Sequence, residues 1–279
     1  MYRIGWFSTG RDEAARLLLM AVHDAMRKGK IRGEIAFVFS NREQGEAVES
    51  DRFFDLVGNC GIPLVTFSSS RFQPELRQKG RTDPVAVARW RTEYDTEVLT
   101  RLEGQDASLH VLAGYMLVWS EKLCQALPAV NLHPAEQGGP TGTWQEVVWQ
   151  LIAAGARRTG AMMHRVTPEL DKGPAVSFCT FSLRTRRFLP LWQAWEVTPT
   201  RDVPYEDEAL FKEIRRQGVV RELPLIIETV RAFSDGTLAI VDGEITHRGK
   251  PLRRALCLTR AVEAELMRHA PSAEGQGAH

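Results

Sequence analysis

Apolar positions along the chain alternate between two periods. Short runs rich in β-branched and aromatic residues, RIGWFS (3–8), EIAFVFS (34–40), PLVTF (63–67), LHVLAGY (109–115) and AVNLH (129–133), read as strands. Between them lie longer stretches whose apolar residues recur every three or four positions: DEAARLLLMAVHDAMRKG (12–29), SDRFFDLVGNC (50–60), DPVAVARWRTEYDTEVLTRL (83–102) and SEKLCQAL (120–127). Each is an amphipathic helix. This alternation predicts an α/β, Rossmann-like architecture, a mostly parallel sheet covered by helices on both faces. In open sheets of this kind ligands bind beyond the carboxyl ends of the strands.

Further along, TWQEVVWQLIAAG (143–155) is a helix with Trp144, Val147, Val148, Leu151 and Ile152 on one core-facing stripe. GAMMHRV (160–166) and AVSFCTFSL (175–183) are strands joined by the turn TPELDKGP. Residues 184–204 form an irregular connection, and a long helix over 206–233 is broken or kinked at Pro224. SDGTLAIVDGEITHRGKPL (234–252) is a small C-terminal hairpin with turn signals at Asp235-Gly236 and Asp242-Gly243. On this reading residues 1–252 form one catalytic domain, residues 253–279 a tail whose last residues are disordered, and the first strand has no regulatory module before it.

Composition narrows the partners more than the fold. The net charge of +1, with 25% charged residues, gives no electrostatic reason for nucleic acid or an anionic membrane as partner. No apolar run approaches the roughly 18 to 20 residues that span a bilayer. The four cysteines, Cys60, Cys124, Cys179 and Cys257, are widely spaced and suggest neither a disulfide framework nor a zinc knuckle, which fits a reducing cytoplasm. Oligomeric state has no signature here.

The segment VNLHPAEQGGPTG (130–142) ends an apolar run in Asn131 and His133 and then enters a loop rich in Gly and Pro. The TPELDKGP turn brings Asp171 to the same edge of the sheet. An amide that donates to a developing oxyanion, an imidazole, and a carboxylate that orients it make a site for acyl transfer without a side-chain nucleophile. No G-x-S-x-G elbow competes for that role. A structural histidine and an Asx turn would leave the same residues in the same places.

Five motifs in register, VFSNRE (38–43), LAGYM (112–116), VNLHP (130–134), HRVTPELDKGP (164–174) and RELPLIIETVRAFSDGTL (221–238), resemble the folate-dependent formyltransferases, most of all their phosphoribosylglycinamide formyltransferase branch. The resemblance covers about residues 2–252. It implies that Asn131, His133 and Asp171 are the catalytic trio. A substrate amine would attack the formyl group of 10-formyltetrahydrofolate, with Asn131 and His133 stabilising the oxyanion and Asp171 assisting proton transfer. Met116, Leu117, Val118 and Trp119, with Val166, Thr167 and Leu170, would line the pterin pocket. The implied acceptor is a small-molecule amine, phosphoribosylglycinamide of purine biosynthesis first. A different amine, or hydrolysis of formyltetrahydrofolate, would use the same trio. No metal is implied: a metal-dependent hydrolase built on His133, His164 and Asp171 would leave Asn131 without a role.

The chain departs from the family at the acceptor. Where the family has a glycine-rich phosphate turn, this chain has STGRDEAAR (8–16), which leaves Gly10 and Arg11 as phosphate groups and puts Asp12 and Glu13 beside them. Asp12 is a substrate-side candidate or a helix N-cap. Val219 stands in for a glutamate that contacts the acceptor's ribose in the family. Arg91 and Arg216 are the candidates for a replacement anion contact, and as exposed helical arginines they would have none.

Overall fold

A computed structural model describes residues 1–197 and 207–269. The first half alternates as expected, apart from the short α3, which the apolar pattern did not show: β1 (Tyr2–Phe7), α1 (Glu13–Arg27), β2 (Gly33–Ser40), α2 (Val48–Asn59), β3 (Leu64–Thr66), α3 (Pro74–Lys79), α4 (Pro84–Arg101), β4 (Leu109–Leu112), α5 (Glu121–Ala126) and β5 (Ala129–His133). The second half runs α6 (Trp144–Ala153), β6 (Arg158–Arg165), β7 (Ala175–Ser182), α7 (Leu189–Val197), α8 (Ala209–Ser234), β8 (Leu238–Val241), β9 (Glu244–His247), β10 (Lys250–Pro251), β11 (Leu256–Cys257) and α9 (Thr259–His269).

Eight strands form the main sheet in the order β11-β7-β6-β5-β4-β1-β2-β3. β3, β2, β1, β4 and β5 are parallel, β5, β6 and β7 pair antiparallel, and β11 runs parallel to β7. The sheet order reverses between β1 and β4, so the ends of β1, β4 and β5 open on the switch point where ligands bind in such sheets. Side chains alternate across the sheet: Ile4 and Trp6 pack with Leu19, Val22 and the α8 residues Leu225, Ile226 and Val230, while Phe7, Phe37 and Phe39 pack with Trp90, Tyr94 and Val98 of α4. Gly5 lies between these layers because a Cβ there would come within 2.5 Å of the Phe37 ring and 2.7 Å of His110.

Several expectations are corrected. The residues read as an irregular connection contain α7, where Phe188 and Trp192 are buried at helical spacing and Trp192 Nε1 donates to the Leu183 carbonyl at 2.8 Å. Residues 198–204 of that connection lie outside the described residues, as do 271–279 of the expected disordered tail. Of the two alternatives at Pro224, a break is the one overturned: α8 continues as helix on both sides of it, because the fully buried Leu225, Ile226 and Val230 offset the hydrogen bond that proline removes. The folded body does not stop at residue 252: β11 joins the main sheet, Val262 of α9 is fully buried, and Arg221 Nε pairs with Glu263 Oε1 at 2.7 Å. The C-terminal hairpin is a three-stranded sheet, β10-β9-β8.

Candidate active site

β5 carries Asn131 and His133 on one side of the sheet, since alternate residues of a strand share a face. The antiparallel register sets His164 of β6 directly across from Asn131. The turn after β6 then returns Asp171, held in the left-handed region at φ +53, to the same point. That turn is tight enough to demand Gly173, where a Cβ would fall 1.7 Å from the Arg165 carbonyl oxygen.

Asp171 ends between two imidazoles. Its Oδ2 lies 3.4 Å from His133 Nδ1 and its Oδ1 3.6 Å from His164 Nε2, with the carboxylate only 6% exposed. The loop between β5 and α6 closes the arrangement with backbone groups: the Pro140 carbonyl lies 2.8 Å from His133 Nε2, and the Gly142 N–H donates to Asp171 Oδ2 at 3.1 Å. A Gly/Pro-rich segment can leave its own N–H and C=O groups free for such contacts.

His164 Nδ1 lies 3.0 Å from the Arg165 carbonyl, and its Nε2 lies 3.0 Å from Asn131 Nδ2 and 3.6 Å from Asp171 Oδ1. The second Asn131 amide hydrogen has only a 3.5 Å contact with Asp171 Oδ1, which leaves it available to an incoming oxygen. Burial pulls the His133 pKa below its ordinary value, opposed by the Asp171 charge and the Pro140 carbonyl. Burial alone would raise Asp171; the hydrogen bond from His164, the His133 charge and the Gly142 N–H outweigh it and hold the carboxyl below its usual range.

These residues line one cavity of about 280 Å³. Met116, Leu117, Val118 and Trp119, from the connection between β4 and α5, form part of its wall with Val166, Thr167 and Leu170. Trp119 is 1% exposed, and its Nε1 is buried without a hydrogen-bond partner. This apolar slot is kept in place from behind by Asp95 of α4, whose Oδ2 accepts from the Ser120 N–H at 2.5 Å.

At the other end the candidates separate. Arg11 and Asp12 line the cavity, and Asp12 is also the N-cap of α1, its Oδ1 accepting from the Ala15 N–H at 3.0 Å. Gly10 is not on the wall; it packs against Phe53. Arg91 and Arg216 are off the cavity too. Arg91 lies on α4 where its charge acts on Asp95, and Arg216 is exposed and paired with Glu213 at 2.8 Å. In their place α8 presents Arg215 and Glu222, joined at 2.8 Å, with the Arg215 guanidinium 4.7 Å from the centre of the Trp144 ring. Glu222 lies three positions on from Val219 along the same helix face. His164 was legible as a packed strand residue or as a ligand in the metal-hydrolase alternative, and the pairing of β5 with β6 is the signal that places it here.

The family model described as formyl transferase matches residues 13–179. The chain belongs to the formyl transferase family. The phosphoribosylglycinamide formyltransferase of Escherichia coli is 28% identical over 160 residues, which cover 57% of this chain and 64% of that protein. The enzyme of the same name from Saccharomyces cerevisiae is 25% identical over 162 residues, 56% of this chain and 72% of its own. The chain thus spans somewhat less than two thirds of the bacterial relative in the matched region. Among solved structures, glycinamide ribonucleotide transformylase 1 from Symbiobacterium toebii superposes with a TM-score of 0.63 at 21% identity, covering 88% of this chain and 94% of that one. A formyltetrahydrofolate deformylase from Pseudomonas syringae gives 0.60 at 19% identity, covering 88% and 65%. These two likenesses establish the formyltransferase fold.

Proposed function

We propose that this family member transfers a formyl group from 10-formyltetrahydrofolate to a small-molecule amine. The observation that carries the reading is the meeting of Asn131, His133 and Asp171 at the end of β5, inside a cavity that continues into an apolar slot. The slot fits a flat ring, since Met116, Leu117, Val118, Val166 and Leu170 give it an apolar wall. The bound donor supplies the activated formyl carbon.

The chain's own residues supply the rest. Asn131 Nδ2 presents an N–H group to the formyl oxygen as it gains charge, and His133 adds a second donor when its Nε2 exchanges the Pro140 carbonyl for that oxygen; both interactions are stronger in the transition state than in the ground state. As the new C–N bond forms and the bond from the formyl carbon to the folate nitrogen breaks, the amine gives up a proton and the departing nitrogen takes one. Asp171, ionised and adjacent to both imidazoles, holds the positive charge that this relay creates.

Phosphoribosylglycinamide, for which the two curated relatives are named, is the acceptor we assign first. The deciding experiment is turnover with 10-formyltetrahydrofolate and a panel of amines that includes it. Formylated amine supports transfer; formate released at the same rate with and without amine would make the protein a hydrolase.

A further inference from the structure

The acceptor end of the cavity holds two arginines, and their donors are committed to different degrees. Arg11 is tied on three sides: Nη2 donates to Gln145 Oε1 at 2.9 Å, Nη1 lies 3.6 Å from Met116 Sδ, and Nε lies 3.8 Å from Asp12 Oδ2. The α1 N-terminus behind it is already capped by the Asp12 carboxylate. An oxyanion arriving at this turn would meet a carboxylate that already caps the helix.

Arg215 is placed differently. Its side chain is 16% exposed on the cavity wall, its guanidinium lies over the Trp144 ring, and Nη1 donates to Glu222 Oε1 at 2.8 Å. A guanidinium has five N–H donors, and among the described residues this is its one hydrogen bond. Glu222 is itself 3% exposed, and the pair lines the same cavity as Asn131, His133 and Asp171. The result is a planar cation, fixed on one edge and one face, with uncommitted donors on the wall of the cavity that the trio lines. Its sequence neighbour Arg216 is at the surface instead, where Nε and Nη2 donate to Glu213.

We propose that Arg215 binds the anionic group of the acceptor, a phosphate or a carboxylate, with Glu222 and Trp144 as its positioning residues. This rests on the reading that an amine acceptor occupies this end of the cavity. Two parallel N–H groups of arginine match either oxyanion, and the site relocates anion binding from the β1–α1 turn, where Asp12 opposes it, to α8.

Calorimetric binding tests this without requiring turnover. The probes are phosphoribosylglycinamide, glycine and glycinamide, which carry a phosphate, a carboxylate and no anion. The wild-type protein should bind one of the first two about tenfold or more tighter than glycinamide; Arg215→Ala should erase that margin, and Arg215→Lys should restore part of it. Affinity for 10-formyltetrahydrofolate should stay within about twofold throughout. The proposal is overturned if Arg215→Ala keeps the margin, if the wild type shows none, or if the variant weakens all three probes and the folate alike. A wild type that formylates no amine would instead defeat the proposed function, while the binding margin would still judge Arg215.

Discussion

Asp171 stands with Oδ2 3.4 Å from His133 Nδ1, one residue at the apex of a left-handed turn and the other at the end of a parallel strand. Nothing local holds them together. The contact depends on β6 pairing back along β5 and on Gly173 allowing the following turn to close.

If the Asp171 charge stabilises a cationic relay, Asp171→Asn should lower kcat by about 100-fold while changing donor affinity less than about threefold. Asparagine keeps an oxygen for the Gly142 N–H, so geometry should survive. Steady-state kinetics alongside equilibrium folate binding separates the two effects; equal losses in both would point to a collapsed turn.

The turn itself can be tested through Gly173. A Cβ there would overlap the Arg165 carbonyl at 1.7 Å, so Gly173→Ala should destabilise on the order of 3 kcal/mol or prevent folding. Gly58, exposed in α2 with open space around it, is the control: Gly58→Ala should be neutral or stabilising by about 0.5–1 kcal/mol. Urea unfolding of the two variants would show the contrast, and similar stabilities would refute the steric account.

Asp95 gives a pH dependence of defined sign. Burial raises its carboxyl from 3.8 to about 6, against the opposing Ser120 N–H, the Ser120 hydroxyl and the Arg91 charge. Between these two values the folded state keeps a proton that the unfolded state has released, so this residue's contribution to stability falls as pH rises through that window. Asp171 and His133, both held below their ordinary values, contribute slopes of the opposite sign. Asp95→Asn should therefore gain stability relative to wild type from about pH 4 to pH 6 and hold that gain above. Parallel stability curves for the two proteins would contradict it.

The legible part of the molecule is the part whose signals are local. The alternation of β1 through β5 with α1, α2, α4 and α5 followed from apolar period alone, and Asn131 and His133 from a strand that ends in polar groups. α7 was hidden because Phe188 and Trp192 sit between arginines and prolines that read as a surface connection. β11 and α9 were hidden because two strand residues and one buried valine, Val262, leave almost no pattern without the sheet edge they pack on. At the site, His164 and the Arg215–Glu222 pair depend on strand register and helix phase, which motif matching does not resolve. Arg216, one position away from Arg215, faces solvent for that reason.

Whether His133 acts on charge present only in the transition state is read most directly from His133→Ala, measured for kcat and for folate binding in one preparation. The expected result is a kcat lower by about 100-fold or more with folate affinity largely intact. A variant that turns over at a near-normal rate would contradict it.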